Sequence, residues 1–180
     1  MSTPSADHVA ALPALTLHEP ANQVSPRAIS YWRLSAIVVL LTRGAFLLAA
    51  IASTYMIGGL DNLRPWVIAV CAVLLAALLA RVVWMPALRY RIHRWEVTST
   101  AVHTRSGWVT REERIAPLSR AQTVDSRQGA LMRFFKLSTI TVTTASAAGP
   151  IEIDCLDEEV ARRVVAELTE IVGHVTGDAT

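Results

Sequence analysis

The chain has 180 residues and a net charge of +2; 52% of its residues are apolar, 18% are charged, and the mean hydropathy is +0.38. Soluble globular domains carry about 25% charged residues, so this composition excludes an ordinary soluble domain. Two cysteines, Cys71 and Cys155, are too few for a disulfide framework, which excludes a disulfide-stapled secreted mini-protein. Apolar residues concentrate between positions 34 and 88 and charges mostly follow position 89, a pattern that indicates a membrane protein with a soluble C-terminal module.

Residues 1–29 are rich in Ala, Pro, Ser and Thr and show no sustained periodicity. This composition predicts a disordered tail. We expect no cleavable signal peptide, because the apolar stretch begins more than thirty residues into the chain and no basic segment opens it.

Two long apolar runs follow, at about residues 34–60 and 66–88, each interrupted by one arginine. Each run exceeds the roughly 20 residues that a helix needs to cross the hydrocarbon layer. Residues 61–65 have turn composition and are too few to hold a domain. The sequence therefore predicts a transmembrane helical hairpin over residues 30–88, with both of its ends on one side of the membrane.

The flanking charges predict which side that is. Arginines cluster outside the two ends of the hairpin, and one arginine lies in the turn. The cluster consists of Arg27, Arg33, Arg89, Arg91 and Arg94, and the turn holds Arg64. The excess of basic residues predicts that both termini are in the cytoplasm and that the protein is a multi-pass protein of the bacterial cytoplasmic (inner) membrane.

Aromatic residues lie near the ends of the runs, with Tyr31, Trp32 and Trp84 at the inner ends and Trp66 at the outer one. These are the interfacial positions that amphipathic rings prefer. The alternative, two buried helices of a soluble bundle, would require a polar face on each helix, and neither run has one.

After residue 89 the pattern changes to short alternating segments separated by turn residues. They predict five to seven antiparallel strands. Asp157 is a good N-cap for a final amphipathic helix, in which Val160, Val164, Leu168 and Ile171 recur at helical spacing. The expected fold class is α+β: a two-helix transmembrane hairpin, then a small bent antiparallel sheet or barrel over residues 89–175 capped by a C-terminal helix, with a tail at 176–180.

The run from Arg114 to Ala145 resembles the bacterial pleckstrin-homology-like (PH-like) domain of membrane-anchored proteins, also called the membrane-flanked domain. The matching positions are Pro117-Leu118-Ser119-Arg120-Ala121-Gln122-Thr123-Val124, Gln128-Gly129, Met132-Arg133 and Thr144-Ala145. The order of two membrane helices followed directly by the domain is also similar, so the resemblance covers about residues 30–175.

Two positions depart from the family pattern: Ala121 replaces a larger aliphatic residue, and Leu137-Ser138 replaces a Leu-Gly turn. The resemblance implies a seven-stranded bent sheet with a C-terminal helix and a non-catalytic binding or assembly role. It implies no particular ligand, because folds of this kind host many functions.

The charges of the soluble part are asymmetric. Residues 89–136 contain ten Arg or Lys and four Asp or Glu, a net charge of +6, whereas residues 137–180 contain two Arg and eight acids, a net charge of −6. Because the basic half begins at the membrane exit, we expect Arg89, Arg91 and Arg94 to contact anionic membrane lipids.

Arg120, Arg127 and Arg133 are further candidates for a lipid headgroup or a partner's carboxylate, because guanidinium groups suit phosphate. The alternative is that these arginines are solvated charges at strand edges, some of them paired with Glu112 or Glu113, which contribute little.

Arg43 and Arg81 lie inside the apolar runs, and counting from the turn places them at nearly the same depth. Neither run contains an acidic residue. The two arginines could extend to inner-leaflet phosphates, or they could pair with an acid in the membrane helix of a partner protein. Stripes of small residues on both runs also allow close helix packing within the hairpin or between copies of the chain.

No catalytic constellation, metal-ligand spacing, phosphate-binding loop or cofactor motif is present in the sequence. We therefore expect no enzyme activity, no cofactor, no metal site and no nucleic-acid partner. Two hypotheses follow: a membrane-anchored module that binds lipid or protein as a scaffold, and an accessory subunit of a transporter or membrane enzyme assembled through the hairpin.

Overall fold

The computed structural model describes residues 19–107, 110–145 and 149–177, with side chains described through residue 173. Four helices and seven strands occur in these ranges. The helices are α1 (Arg27–Met56), α2 (Arg64–Ile92), α3 (Ala130–Phe134) and α4 (Glu158–Gly177). The strands are β1 (Asn22–Gln23), β2 (Arg94–Val97), β3 (Ala101–Ser106), β4 (Glu112–Pro117), β5 (Ala121–Arg127), β6 (Leu137–Thr144) and β7 (Ile151–Asp157), with a 3-10 turn at Leu118–Arg120.

Helices α1 and α2 form the expected antiparallel hairpin, and both are long and apolar enough to cross a membrane. Large apolar side chains are exposed around both helices; Leu41, for example, is 67% exposed and Trp84 is 70% exposed. Helices that are apolar on all sides need an apolar surrounding, which a bilayer provides. At the turn, Arg64 pairs with Asp61 at 2.8 Å and its guanidinium lies 4.2 Å from the centre of the Tyr55 ring.

The hairpin register corrects the expected depths of the two arginines within the runs. The thiol of Cys71 lies 3.9 Å from the carbonyl oxygen of Leu47. Counting from that pair sets Arg43 opposite position 75 and Arg81 opposite position 37. Arg43 therefore lies six residues, or about 9 Å, farther from the module than Arg81 does. The expectation of nearly the same depth was wrong because α1 ends at Met56, and residues 57–60 are not helical.

The module consists of two antiparallel sheets, with strand order β1-β2-β3-β4 and β5-β6-β7. Six of these strands follow the hairpin, within the expected number. Strand β7 directs Ile151, Ile153 and Cys155 into the core, as its alternation predicts. Helix α4 covers the second sheet through Ala161, Val164 and Leu168, which are buried. The predicted α+β order of helical hairpin, antiparallel sheet and C-terminal helix is confirmed.

The seventh strand, β1, comes from the segment that precedes the hairpin, where the sequence predicted a disordered tail over residues 1–29. Asn22 pairs with Trp95 of β2, and the side chains of Val24 and Ala28 are buried in the module core. Residues 19–29 thus belong to the folded module, while residues 1–18 lie outside the described ranges. A two-residue strand has no periodicity to detect, so the sequence could not indicate it.

Helices α1 and α2 also reach beyond the predicted runs and into the module. Trp32 of α1 is buried in the module core, and α2 continues to Ile92, where the sequence predicted the first strand. Hairpin and module therefore share residues, and the predicted boundary at residue 89 falls inside a helix. At the other end, α4 continues past Gly173 to Gly177, and residues 178–180 lie outside the described ranges.

Candidate functional site at the joint between hairpin and module

Four side chains connect the hairpin to the module, and we call them the joint. They are Trp32 of α1, Arg89 of α2, His93 directly after α2, and Asp154 of β7. Arg89 Nη2 lies 3.3 Å from Asp154 Oδ2, and the Arg89 guanidinium lies 4.5 Å above the Trp32 ring. Arg89 Nε donates a hydrogen bond to His93 Nε2 at 3.2 Å, and the Trp32 and His93 ring centres are 5.3 Å apart. One guanidinium group thus contacts an acid, an indole and an imidazole.

The geometry of α2 brings two of these groups together. Arg89 and His93 are four residues apart, one helical turn, so they lie on the same face at the end of α2. His93 Nδ1 is 2.9 Å from the Arg89 carbonyl oxygen. Since Nε2 accepts a hydrogen bond from Arg89, Nδ1 carries the proton and the ring is neutral. Burial lowers the pKa of His93 below its ordinary value, and the Arg89 charge lowers it further.

A second set of contacts holds the start of α1 against the module. Ser25 Oγ and Arg27 Nη1 both donate to Asp157 Oδ1, at 2.9 and 3.1 Å. The backbone N–H of Ser25 donates to the Cys155 carbonyl at 3.0 Å. Both chain segments that link hairpin and module are therefore fixed by side-chain contacts, and neither is a free linker.

Above the joint, the two long helices and the module enclose a cleft of about 190 Å³, which we call the joint cleft. The residues of α1 and α2 that line it lie at the module end of the predicted membrane runs. The lining includes Tyr31, Ser35 and Val39 of α1, Arg81, Met85 and Arg89 of α2, Met132 of α3, and Asp154. Apolar walls around a guanidinium group suit a ligand that has both an acidic and an apolar part.

The eight candidate arginines occupy different environments. Arg89 is half-buried in the joint and is already paired with Asp154. Arg81 and Arg43 are both exposed, but Arg81 lines the joint cleft, whereas Arg43 lies on α1, farther from the module. Arg91 is exposed, and Arg94 is partly buried in β2.

The remaining three arginines divide between the two ends of β5. Arg127 ends this strand beside α3, which contains Arg133, and both side chains are exposed. Arg120 precedes the strand and is exposed at its opposite end, roughly 20 Å away at the usual rise per residue. The structure therefore does not bring these three arginines into one site.

Several residues that matter here were not among the sequence candidates. The sequence placed Trp32 at the membrane interface, but it is buried in the module core instead. The spacing of Ala28, Trp32 and Ala36, all buried, was an available signal because residues four apart share one helix face. Asp154 gave no signal. It occupies a polar position of an alternating strand, and the sequence does not show which residue its carboxylate contacts.

The described residues contain no group of three or more His, Cys, Asp or Glu that could hold a metal ion. Burial, aided by the neighbouring Asp154, raises the pKa of the Cys155 thiol to about 12. A thiol that stays protonated near neutral pH is a poor nucleophile. The chemistry that the joint and its cleft offer is therefore ionic and apolar contact.

Comparison with known proteins gives the family. The bacterial PH domain family matches the chain over residues 26–172, which include both long helices and the module. The transmembrane protein YdbS of Bacillus subtilis (strain 168) is 28% identical over 161 residues, which are 89% of this chain and 97% of that protein. No solved structure matches the chain. The long apolar helices, the two antiparallel sheets with their C-terminal helix, and the extent of the family match agree, and the chain belongs to the bacterial PH domain family.

Proposed function

We propose that this protein is a non-catalytic docking protein on the cytoplasmic face of the bacterial inner membrane. Its hairpin crosses the bilayer twice, and both termini are in the cytoplasm. The arginines that flank the hairpin outnumber the single Arg64 of the turn, which supports this orientation. The module binds anionic lipids on its membrane-facing side and leaves its opposite side to a protein partner.

The observation that carries the proposal is the fixed joint. Because Arg89 binds both His93 and Asp154, and Trp32 lies in the module core, the module has one orientation relative to the hairpin. One side of the module therefore always faces the bilayer, as a lipid-binding or scaffolding surface requires.

The joint cleft is the best lipid site in this arrangement. Arg81 supplies a positive charge near the module end of the predicted run, and Val39 supplies an apolar wall for the start of an acyl chain. Arg89 and Asp154 largely neutralise each other, so Arg81 gives the cleft a net positive charge. Arg91 lies at the end of the hairpin, where a basic residue near an anionic leaflet contributes about 1 kcal/mol, whereas Arg94 lies in β2 beside Glu19.

The test compares two arginines of the hairpin. The full chain is purified in mild detergent from membranes rich in phosphatidylglycerol, and the bound lipids are counted by native mass spectrometry. We expect Arg81→Gln to lose retained anionic lipid and Arg81→Lys to keep part of it. Arg43→Gln, the matched control, removes an arginine that lies outside the cleft and should retain the lipid. Equal retention by both Gln variants would refute lipid binding in the cleft.

A second candidate function is that of an accessory subunit assembled through the hairpin. Arg43 favours it, because this residue is exposed about 9 Å beyond Arg81 and neither long helix contains an acidic residue. A charge so placed is costly unless it reaches the interface or pairs with an acid of another protein.

Crosslinking in intact membranes tests this candidate. If a partner contributes the acid, Arg43→Leu should abolish a crosslink that the unsubstituted chain forms, while membrane insertion stays normal. In a complementary experiment, the hairpin is exchanged for an unrelated one. Retained function would favour a docking role of the module, and lost function would favour an accessory subunit assembled through the hairpin.

A further inference from the structure

The short helix α3 carries an apolar side chain that the module does not bury. Phe134 is 77% exposed, and among the described residues outside the hairpin the only other large apolar side chain that is exposed is Ile115, at 49%. An exposed aromatic ring on a small module marks a contact surface when its neighbours share its character. The nearby Met132 and Phe135 are also apolar, but both are partly buried against the module core, so Phe134 is the exposed apolar side chain of this segment.

The position of α3 along the hairpin indicates what this surface touches. Met132 and Val39 line the same small cleft. Val39 lies five residues, or about 7.5 Å, beyond Leu34, where the predicted membrane run begins. The same cleft also includes Tyr31 and Asp154, so α3 lies beside the module end of the predicted run.

A row of aromatic rings leads from α1 to the exposed side chain. The rings of Tyr31 and Phe135 are 6.2 Å apart edge to face, and those of Phe135 and Phe134 are 5.2 Å apart in the same geometry. Tyr31 lies three residues before the predicted run. Phe134 is therefore two ring contacts away from α1, beside the module end of that run.

The charges around α3 suit an anionic surface. Arg127, Arg133 and Lys136 occur in this segment, and no acidic residue occurs between positions 126 and 151. Three acids, Asp157, Glu158 and Glu159, lie beside Lys136. Arg27 binds Asp157, and Arg162 binds Glu158 and Glu159, so these carboxylates are already paired within the module.

We infer that α3 is a membrane wedge, in which Phe134 enters the boundary between headgroups and acyl chains while Arg133 and Lys136 contact anionic headgroups. The inference rests on the proposed function, because it takes the inner leaflet as the surface that the module faces. The wedge gives the module a lipid contact of its own beside the joint.

The experiment measures the depth of α3 in the full chain. Phe134→Cys is labelled with an environment-sensitive fluorophore and reconstituted in nanodiscs that contain phospholipids brominated near the start of the acyl chains. Ser119→Cys is the matched control, since Ser119 is exposed in the 3-10 turn at the opposite end of β5. The unsubstituted protein, whose two cysteines are buried, provides the labelling blank.

We expect brominated lipid to remove most of the fluorescence at position 134 and to leave that at position 119 unchanged. In discs containing phosphatidylglycerol, adding Arg133→Gln and Lys136→Gln should reduce the quenching at position 134. In purely zwitterionic discs the same pair of changes should have little effect, because the headgroup layer then has no net charge.

Two results would overturn the wedge: no quenching at position 134, or equal quenching at both positions. Neither depends on whether Arg81 retains lipid, so the wedge and the cleft can fail separately. A further measurement uses sealed vesicles in which the brominated lipid is confined to one leaflet. Quenching at position 134 only by lipid of the outer leaflet would refute the proposed orientation.

Discussion

Replacing Arg89 with alanine should loosen the joint more than any other single charge removal in the hairpin. The substitution removes the ion pair with Asp154. The Arg89 and Asp154 side chains are 27% and 31% exposed, and a pair that water still reaches contributes about 1 kcal/mol at most. It also removes the guanidinium from the Trp32 ring, a contact of about 1 kcal/mol when partly desolvated. The buried His93 loses its hydrogen-bond donor, a further loss of about 1 kcal/mol.

These contributions overlap because they involve one side chain, so we expect the module to lose about 2–3 kcal/mol of its free energy of unfolding. The assay is urea unfolding of the full chain in detergent micelles, followed by tryptophan fluorescence, since Trp32 and Trp95 are both in the module core. Arg91→Ala is the matched control. It removes an exposed arginine from the same helical turn and should change the free energy by no more than about 0.5 kcal/mol.

A double-mutant cycle isolates the ion pair. Asp154→Asn combined with Arg89→Ala should show a coupling energy of about 1 kcal/mol. If Arg89→Ala costs no more than Arg91→Ala, or if the coupling is zero, the joint does not hold the module. The physical reasoning behind the proposed function would then be refuted.

Three further predictions concern the module. Burial lowers the pKa of His93 below its ordinary value of 6.5, so as the pH falls this residue is protonated in the unfolded chain before it is protonated in the folded one. The contribution of His93 to the free energy of unfolding should therefore be full above pH 6.5 and decrease below it. His93→Gln should remove this pH dependence between pH 7 and 5.5 in the same unfolding assay, and an unchanged slope would contradict it. The Cys155 thiol, with its pKa raised to about 12, should react with a maleimide at pH 7.5 only as fast as the module unfolds; rapid labelling of the folded chain would show that this strand is open. Leu168→Ala on α4 should cost about 2–5 kcal/mol because the side chain is fully buried, while Thr169→Ala, on the exposed face of the same helix, should cost far less. Similar midpoints for the two α4 variants would show that α4 does not close the core.

Much of the architecture could be predicted from local patterns. Continuous apolar runs predicted the two long helices, because a helix with no polar face needs an apolar surrounding. Alternation predicted that Ile151, Ile153 and Cys155 face inward, and a spacing of three to four residues predicted the buried face of α4. The resemblance that runs from Arg114 to Ala145 predicted the family. The helix and strand signals each lie within a few consecutive turns or one strand, whereas the family pattern spans β5, α3 and β6.

The candidate site could be predicted only in part. All eight arginines were identified from charge and position, but their roles depend on neighbours that are distant in the sequence. Arg89 was expected to contact lipid, and its partner is Asp154, 65 residues away. Arg43 and Arg81 were expected at one depth, and the end of α1 at Met56 separates them.

By itself, the sequence determined that this is a membrane protein with two long apolar helices and a β-rich module, because hydropathy and periodicity are properties of neighbouring residues. Tertiary structure decided that the segment around Asn22 completes a sheet, that Trp32 belongs to the module core, and that the joint fixes the module on the hairpin. Those features are pairings between distant segments. A charge or a ring shows in the sequence which contacts it can make, but only the folded chain selects its partner.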